Sequence, residues 1–186
     1  MTDSPDTGNK QRGSRVEVAA PPMLPSPTPA DAHAVRIALH HGPRHDLWPL
    51  FELADDSALA IRGYVDLGLV HVASIGGVAI GHAQIVPHDV RVWELKSLAV
   101  LAPYRERGVG TGLVRRSVGW VREHGAEQLL VATASADLEN LGFYQRLGFR
   151  MFRIERDAFT PERGYPAGLS FGGVPLRDRV WLEMPV

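Results

Sequence analysis

The chain has no cysteine, which excludes disulfides, thiolate metal sites and a cysteinyl acyl-enzyme. Lysine is nearly absent as well: Lys10 and Lys96 are the two lysines among 20 basic residues, so arginine carries the positive charge. No excess of one sign exists, because 21 acidic residues bring the net charge to -1, and nothing in that balance points to nucleic acid. No apolar run approaches the roughly 20 residues of a membrane span, and none near the start suits a signal peptide. The expectation is a soluble, cytoplasmic protein. Its 186 residues suffice for one well-packed domain rather than two.

What is present begins with a biased segment. Residues 1–33 are polar at first and then carry Pro21, Pro22, Pro25, Pro27 and Pro29, which excludes both helix and central strand. They read as a disordered tail, with the folded domain spanning 34–186. Val35, Ile37 and Leu39 alternate with Arg36, Ala38 and His40 as a half-buried first strand. From Arg44 to Gly68 the period becomes helical, broken at Asp55-Asp56-Ser57, so two short helices are expected. Glu52, Asp55 and Asp56 are candidate acceptor-site acids, with helix capping as their alternative reading.

Leu69–Ile75, Gly76-Gly77 and Val78–Val86 spell a β-hairpin, and Pro87 to Asp89 reads as a link. A buried strand is expected over 128–133, a short helix over 138–147 and strands over 149–155 and 180–184. The order β-α-α-β-β-β-α-β-α-β-β describes a mixed α/β sheet.

The organising stretch is Trp93 to Gly112, WELKSLAVLAPYRERGVGTG. An apolar strand over 93–101 is stopped by Pro103 and runs into a basic, glycine-punctuated loop that opens a helix over 109–124. The first turn of such a helix offers unpaired N–H groups at the positive end of the macrodipole, and glycine lets a bulky anion approach them. A pyrophosphate suits this arrangement. Leu113 stands where a Walker loop requires Lys and where a dinucleotide fingerprint requires its third Gly, which excludes both.

The run Arg105-Glu106-Arg107-Gly108-Val109-Gly110 resembles the coenzyme-A loop, Arg/Gln-x-x-Gly-x-Gly/Ala, of the GNAT (Gcn5-related) N-acetyltransferases. Asn140-Leu141-Gly142-Phe143-Tyr144-Gln145-Arg146-Leu147-Gly148-Phe149 resembles a second motif of that family. The resemblance covers about residues 35–184 and implies the GNAT fold, a mixed, mostly antiparallel central sheet flanked by helices. It implies acetyl-CoA as cosubstrate, no metal, and transfer to an amine acceptor, a small molecule or a peptide amine. Main-chain groups of Leu98 and Val100, with Ala99 between them, would hold the pantetheine arm. The loop Arg105, Glu106, Arg107, Gly108, Val109, Gly110 and Thr111 would hold the pyrophosphate, and Asn140 and Tyr144 would lie beside the coenzyme. A phenol can donate to a departing thiolate, and Tyr144 maps onto the family's proton donor. Glu94 stands fourteen residues before Gly108, the place of the general base in the family's histone-modifying branch. Tyr144 as neighbour of the Phe143 and Phe149 core, and Glu94 paired with an arginine on a neighbouring strand, are the structural alternatives.

Tyr165-Pro166, Gly173-Val174, Leu176, Asp178 and Leu182 resemble the tail of a bacterial subgroup of small-molecule acetyltransferases, with Phe171 where that pattern carries Glu. If that Glu holds a cationic acceptor, this chain takes a less charged one or uses another acid. The resemblance also makes a homodimer through the C-terminal strands a further expectation. A non-catalytic acyl-CoA-binding module is the alternative function.

Overall fold

The computed structural model describes residues 35–186, so the expected tail and Ala34 lie outside the described residues. The chain runs β1 (Arg36–Leu39), a 3-10 turn (Arg44–Leu47), α1 (Trp48–Ala54), α2 (Ala58–Tyr64), β2 (Leu69–Ile75) and β3 (Val78–Asp89). It continues through β4 (Val92–Val100), α3 (Val109–Glu123), β5 (Gln128–Ala134), α4 (Leu138–Arg146) and β6 (Arg150–Glu155). A two-residue hairpin, β7 (Ser170–Phe171) and β8 (Val174–Pro175), precedes β9 (Arg179–Pro185). Seven strands form one sheet in the order β1-β2-β3-β4-β5-β9-β6. Within it β4 and β5 are parallel and every other neighbouring pair is antiparallel. The sheet is thus the mixed, mostly antiparallel one expected. No helix among the described residues is long and apolar enough to cross a membrane.

Each helix starts where its residues permit. Ser57 caps α2 by accepting from the Ala60 N–H at 3.1 Å, and Asp137 caps α4 by accepting from the Asn140 N–H at 2.9 Å. Gly108 precedes α3 with φ +79 and ψ 0, a left-handed conformation that L side chains adopt at a cost. Two apolar layers result. Leu113, Val114 and Val121 of α3 and Leu141 of α4 pack on Ile85, Leu95, Val131 and Leu182 of the sheet. On the opposite face Phe51 of α1 and Ile61 and Tyr64 of α2 pack on Val70. Gln84 fixes the end of α2, its Nε2 facing the carbonyls of Tyr64 at 2.8 Å, Val65 at 3.2 Å and Leu67 at 2.8 Å.

Pro87 to Asp89 is not a link, as expected from sequence, but the end of β3, with Pro87 opposite Trp93. The reason is local: β2 begins at Leu69 opposite Ile85, so beyond Ile85 the strand has no partner on that side. A missing N–H costs nothing there. The β7–β8 hairpin was invisible to periodicity, because two-residue strands carry no period. Its turn uses Gly172 and Gly173 at φ +56 and +84.

Candidate active site

The sheet opens along β4. The parallel pairing of β4 with β5 covers only Val92–Leu95 against Gln128–Val131; beyond that, β5 pairs with β9 alone. Leu101 donates its N–H to the Ile80 carbonyl at 2.9 Å. By alternation, Val100 and Leu98 turn their main-chain groups away from β3 and into the gap, while Ala99 turns its own toward β3. A peptide-like arm laid in the gap would find the first two residues unpaired by strand. Ala99, assigned with them on sequence, offers only its buried methyl group.

The basic loop closes one end of this gap. Arg105 is exposed, and its Nε–H donates to the Val100 carbonyl at 3.0 Å. Glu106 is exposed with φ +59. Its carboxylate would repel an anion, so an N–H is the compatible group there. Arg107 and Gly108 are exposed too. Val109 buries its side chain in the core, which leaves its N–H at the first turn. Among the described residues no side chain caps α3, which leaves the N–H groups of Val109, Gly110 and Thr111 available to an anion. A Cβ built on Gly110 would lie 3.5 Å from Phe143 and 3.8 Å from Val100. The end of β4, the loop and α4 therefore meet around this glycine, and a pyrophosphate-bearing molecule fits the uncapped, glycine-opened turn.

Tyr144, on α4, is 6% exposed and packs edge-on against Phe143 and Phe149, with centroids 5.2 and 5.7 Å away. Burial raises its pKa above the ordinary phenol range, and the Asp137 charge adds to this. The hydroxyl is held protonated, the form a proton donor needs. Asn140 is exposed and bound to Asp137, its Nδ2 donating to Oδ2 at 2.6 Å. It thereby secures the start of α4, in addition to any contact with the coenzyme.

Glu94 turns to the opposite face of β4. It is 6% exposed, and its Oε1 accepts from Lys96 Nζ at 3.1 Å while Oε2 lies 3.6 Å from His88 Nδ1. The ion pair named as the alternative reading is thus present, with a lysine of the same strand rather than a neighbouring arginine. A β-bulge makes it possible: Gln84 pairs with Ser97 and Ile85 with Leu95, so Lys96 is the unpaired extra residue. The Lys96 ammonium in turn stands 5.5 Å from the centre of the Tyr64 ring.

From Tyr64 and from His88 the contacts run outward in two directions. The Tyr64 hydroxyl donates to Asp55 Oδ2 at 3.3 Å. Burial and then the same carboxylate push the Tyr165 hydroxyl up to about 12, with Arg179 acting against them. On the other side the His88 ring lies 5.8 Å from Trp181, whose indole N–H donates to Glu155 Oε2 at 3.1 Å. Arg163 and Arg179 also reach Glu155, at 2.5 and 3.4 Å. Burial works to raise the Glu155 carboxyl, but Arg163, Trp181 and Arg179 hold it below its ordinary value. Arg179 lies 5.2 Å from the Phe159 ring, which meets Tyr165 edge-on at 5.0 Å. The contacts close into a ring around the Glu94 side of the gap.

Sequence reasoning found Glu94 and Asp55 in this ring but missed Lys96, His88, Tyr64, Glu155 and Trp181. Of the other acids singled out, Glu52 accepts from Trp48 Nε1 at 2.6 Å and Asp56 is exposed. The missed signal was a basic residue within an otherwise apolar strand, beside an acid two positions earlier. Glu94 and Tyr144 lie on opposite faces of β4, and the gap joins those faces.

Known acyltransferases resemble this chain in sequence and in fold. The family model described as the acetyltransferase (GNAT) family matches residues 38–149. A solved structure of an IAA acetyltransferase from Bacillus cereus is 31% identical, with a TM-score of 0.75 over 82% of this chain and 99% of its own. A GNAT family acetyltransferase from Elizabethkingia anophelis, solved with acetyl-CoA bound, is 25% identical with a TM-score of 0.75 over the same shares. The uncharacterized N-acetyltransferase YvbK of Bacillus subtilis is 27% identical over 150 residues, 81% of this chain and 96% of that protein. With the family match spanning more than half of its length, the chain belongs to the GNAT family of acetyltransferases.

Proposed function

We propose that this acetyltransferase carries the acetyl group of acetyl-CoA directly to an amine, with Tyr144 as proton donor and Glu94 as proton acceptor. The observation that carries the reading is the gap beyond Leu95 and Val131. The uncapped start of α3 lies by the end of β4, Tyr144 belongs to the apolar layer that packs on Leu95, and Glu94 stands one residue before the gap opens. Leu98 and Val100 align the arm by main-chain bonds, and the turn from Arg105 to Thr111 takes the pyrophosphate. The acceptor enters from the α1–α2 face, where the ring around Glu94 orients it. As the nitrogen bonds to the acyl carbon and the carbon–sulfur bond breaks, Glu94, directly or through a water, takes the surplus proton from nitrogen. Tyr144 gives its proton to the departing sulfur. Structures of relatives with the coenzyme bound support the choice of acyl donor. The proposed setting is the cytoplasm, where acetyl-CoA is at hand. Pairing of two copies through the β6 edge, with Met151, Phe152 and Ile154 exposed, belongs to the same reading.

Mixing the protein with acetyl-CoA and a panel of amines tests it. Thiol release that depends on an amine, with a matching gain of one acetyl mass, is expected. Tight acetyl-CoA binding with no release for any amine would instead mark a non-catalytic acyl-CoA-binding module.

A further inference from the structure

We propose that the reacting nitrogen reaches Glu94 already neutral and that Lys96 enforces this. The acceptor is then an amine of low basicity, such as an α-amino group or an aromatic amine. The inference rests on the acetyl-transfer reading above and concerns the charge of the nucleophile. Lys96 is the extra residue of the β4 bulge and stands two positions from Glu94 on the same face. Its ammonium donates to Glu94 Oε1 at 3.1 Å, and its side chain is 29% exposed against 9% for Glu94. A nitrogen approaching the carboxylate therefore meets a cation beside it. The Tyr64 ring, 5.5 Å from the ammonium, holds Lys96 from the α2 side.

A substrate ammonium at that place would stand against a like charge and compete with Lys96 for the same carboxylate. A neutral nitrogen does neither. Glu94 Oε2 lies 3.6 Å from His88 Nδ1, beyond hydrogen-bond distance, and is left to take a proton. As the nitrogen lone pair bonds to the acyl carbon, the N–H proton it sheds passes to Oε2. The carbon–sulfur electron pair leaves with sulfur, which Tyr144 protonates. The other groups around the pair do not alter this. His88 of β3 acts on every amine alike. Tyr64 and Tyr165 are kept protonated by burial. Glu155, Arg179 and Arg153 stand beyond Trp181, and Glu183 of β9, across Leu130 from Glu94, accepts from Gln128 at 2.7 Å. Asp55 accepts from the neutral Ser57 N–H and Tyr64 hydroxyl, so it can meet a cationic group elsewhere on the acceptor. The requirement holds for the reacting nitrogen alone.

An alkylammonium like that of lysine has a pKa of about 10.4, so near neutrality roughly one molecule in a thousand is neutral. The test uses the full-length protein with ethylamine and its mono-, di- and trifluoro derivatives, in which each fluorine lowers basicity at nearly constant size. The readout is kcat/KM for total amine from thiol release, with the acetylated product confirmed by mass. Near neutral pH the trifluoro amine should be favoured over ethylamine at least about tenfold, and kcat/KM for ethylamine should climb about tenfold per pH unit. Lys96→Met should admit the ethylammonium ion, which flattens that climb and shrinks the ratio, whereas Lys96→Arg should keep both. The ratio is taken within one protein, so a merely structural loss lowers all four amines together and leaves it unchanged. An unchanged ratio in folded Lys96→Met protein overturns the role of Lys96. A wild-type profile for ethylamine that is level with pH overturns the proposal without any variant, as does a series in which no member is acetylated while another amine is. Failure of the wild-type protein to bind acetyl-CoA by calorimetry would instead remove the transfer reading itself, and this inference with it.

Discussion

The Nε–H of Arg105 donates to the Val100 carbonyl at 3.0 Å, tying the first residue of the anion loop to the end of the strand that opens the sheet. The bond orients the guanidinium and leaves its Nη groups to meet a phosphate. Arg105→Ala should weaken acetyl-CoA binding by about 1.5–3 kcal/mol, roughly ten- to a hundredfold in Kd. The side chain is exposed, so thermal stability should change little. Arg105→Lys should not restore affinity, because an ammonium lacks the fork that serves carbonyl and phosphate together. Calorimetric titration of the two variants at low and high salt checks this.

Tyr144→Phe removes one hydroxyl from a side chain packed against Phe143 and Phe149. Folding and the KM for acetyl-CoA should survive, while kcat falls by about 10²–10⁴. Burial holds the phenol protonated beyond its usual range, so the wild-type kcat should show no alkaline fall traceable to this residue through pH 10. A Tyr144→Phe enzyme with wild-type kcat removes Tyr144 from the chemistry.

Glu94→Gln keeps the shape of the side chain but neither holds Lys96 by charge nor takes a proton. The kcat/KM for the amine should drop by about 10²–10⁴. Acetyl-CoA binding, proposed for the gap and the start of α3, should be spared. A variant with full activity would leave Glu94 as the ion-pair partner of Lys96 and nothing more.

His71 and His82 make the fold acid-sensitive. The His71 ring lies 3.2 Å from Ser117 Oγ and the His82 ring 2.8 Å from Ser97 Oγ, and each keeps a buried nitrogen with no partner among the described residues. Burial, with Arg116 second, pushes His71 down to about 4; burial, with Arg44 second, pushes His82 down to about 3. Both rings stay neutral in the fold, but in the unfolded chain they take up protons below pH about 6.5. Their contribution is complete above that pH and is lost as pH falls toward 4 and then 3. Each adds a slope of up to about 1.4 kcal/mol per pH unit. Urea midpoints measured from pH 7.5 to 4.5 should fall steadily below 6.5, and a flat series would contradict this origin.

How much could be read beforehand depended on whether a feature was local. The helices over 109–123 and 138–146 follow from apolar spacing and from Gly108 and Asp137 at their starts, all set within a few residues. The glycine-punctuated turn that opens α3 was legible for the same reason. The parting of β4 from β5 was not, because no residue type marks where Leu95 ceases to pair and Ser97 goes unaccompanied. Nor was the ring around Glu94, to which the turn between α1 and α2, α2, β3, β4 and the segment from Glu155 onward each give one or a few side chains. Its contacts span long separations, such as Asp55 with Tyr165, that no period encodes. His82 and Gln84 did carry a signal, as polar residues inside an apolar strand, and both proved buried.

Gly110 tests the account at its centre, because the start of α3, Val100 and Phe143 converge on it. A Cβ there makes ordinary contacts of 3.5 and 3.8 Å, so Gly110→Ala should fold and bind nearly as the wild type does. An indole at the same position would fill the end of the gap. The decisive measurement is calorimetric titration of acetyl-CoA into Gly110→Trp protein shown to be folded by its thermal melt. The account predicts binding lost by at least about a hundredfold, beyond what one charge-assisted bond supplies. Wild-type affinity in the folded variant would contradict it, because the coenzyme would then lie somewhere other than the opening of the sheet.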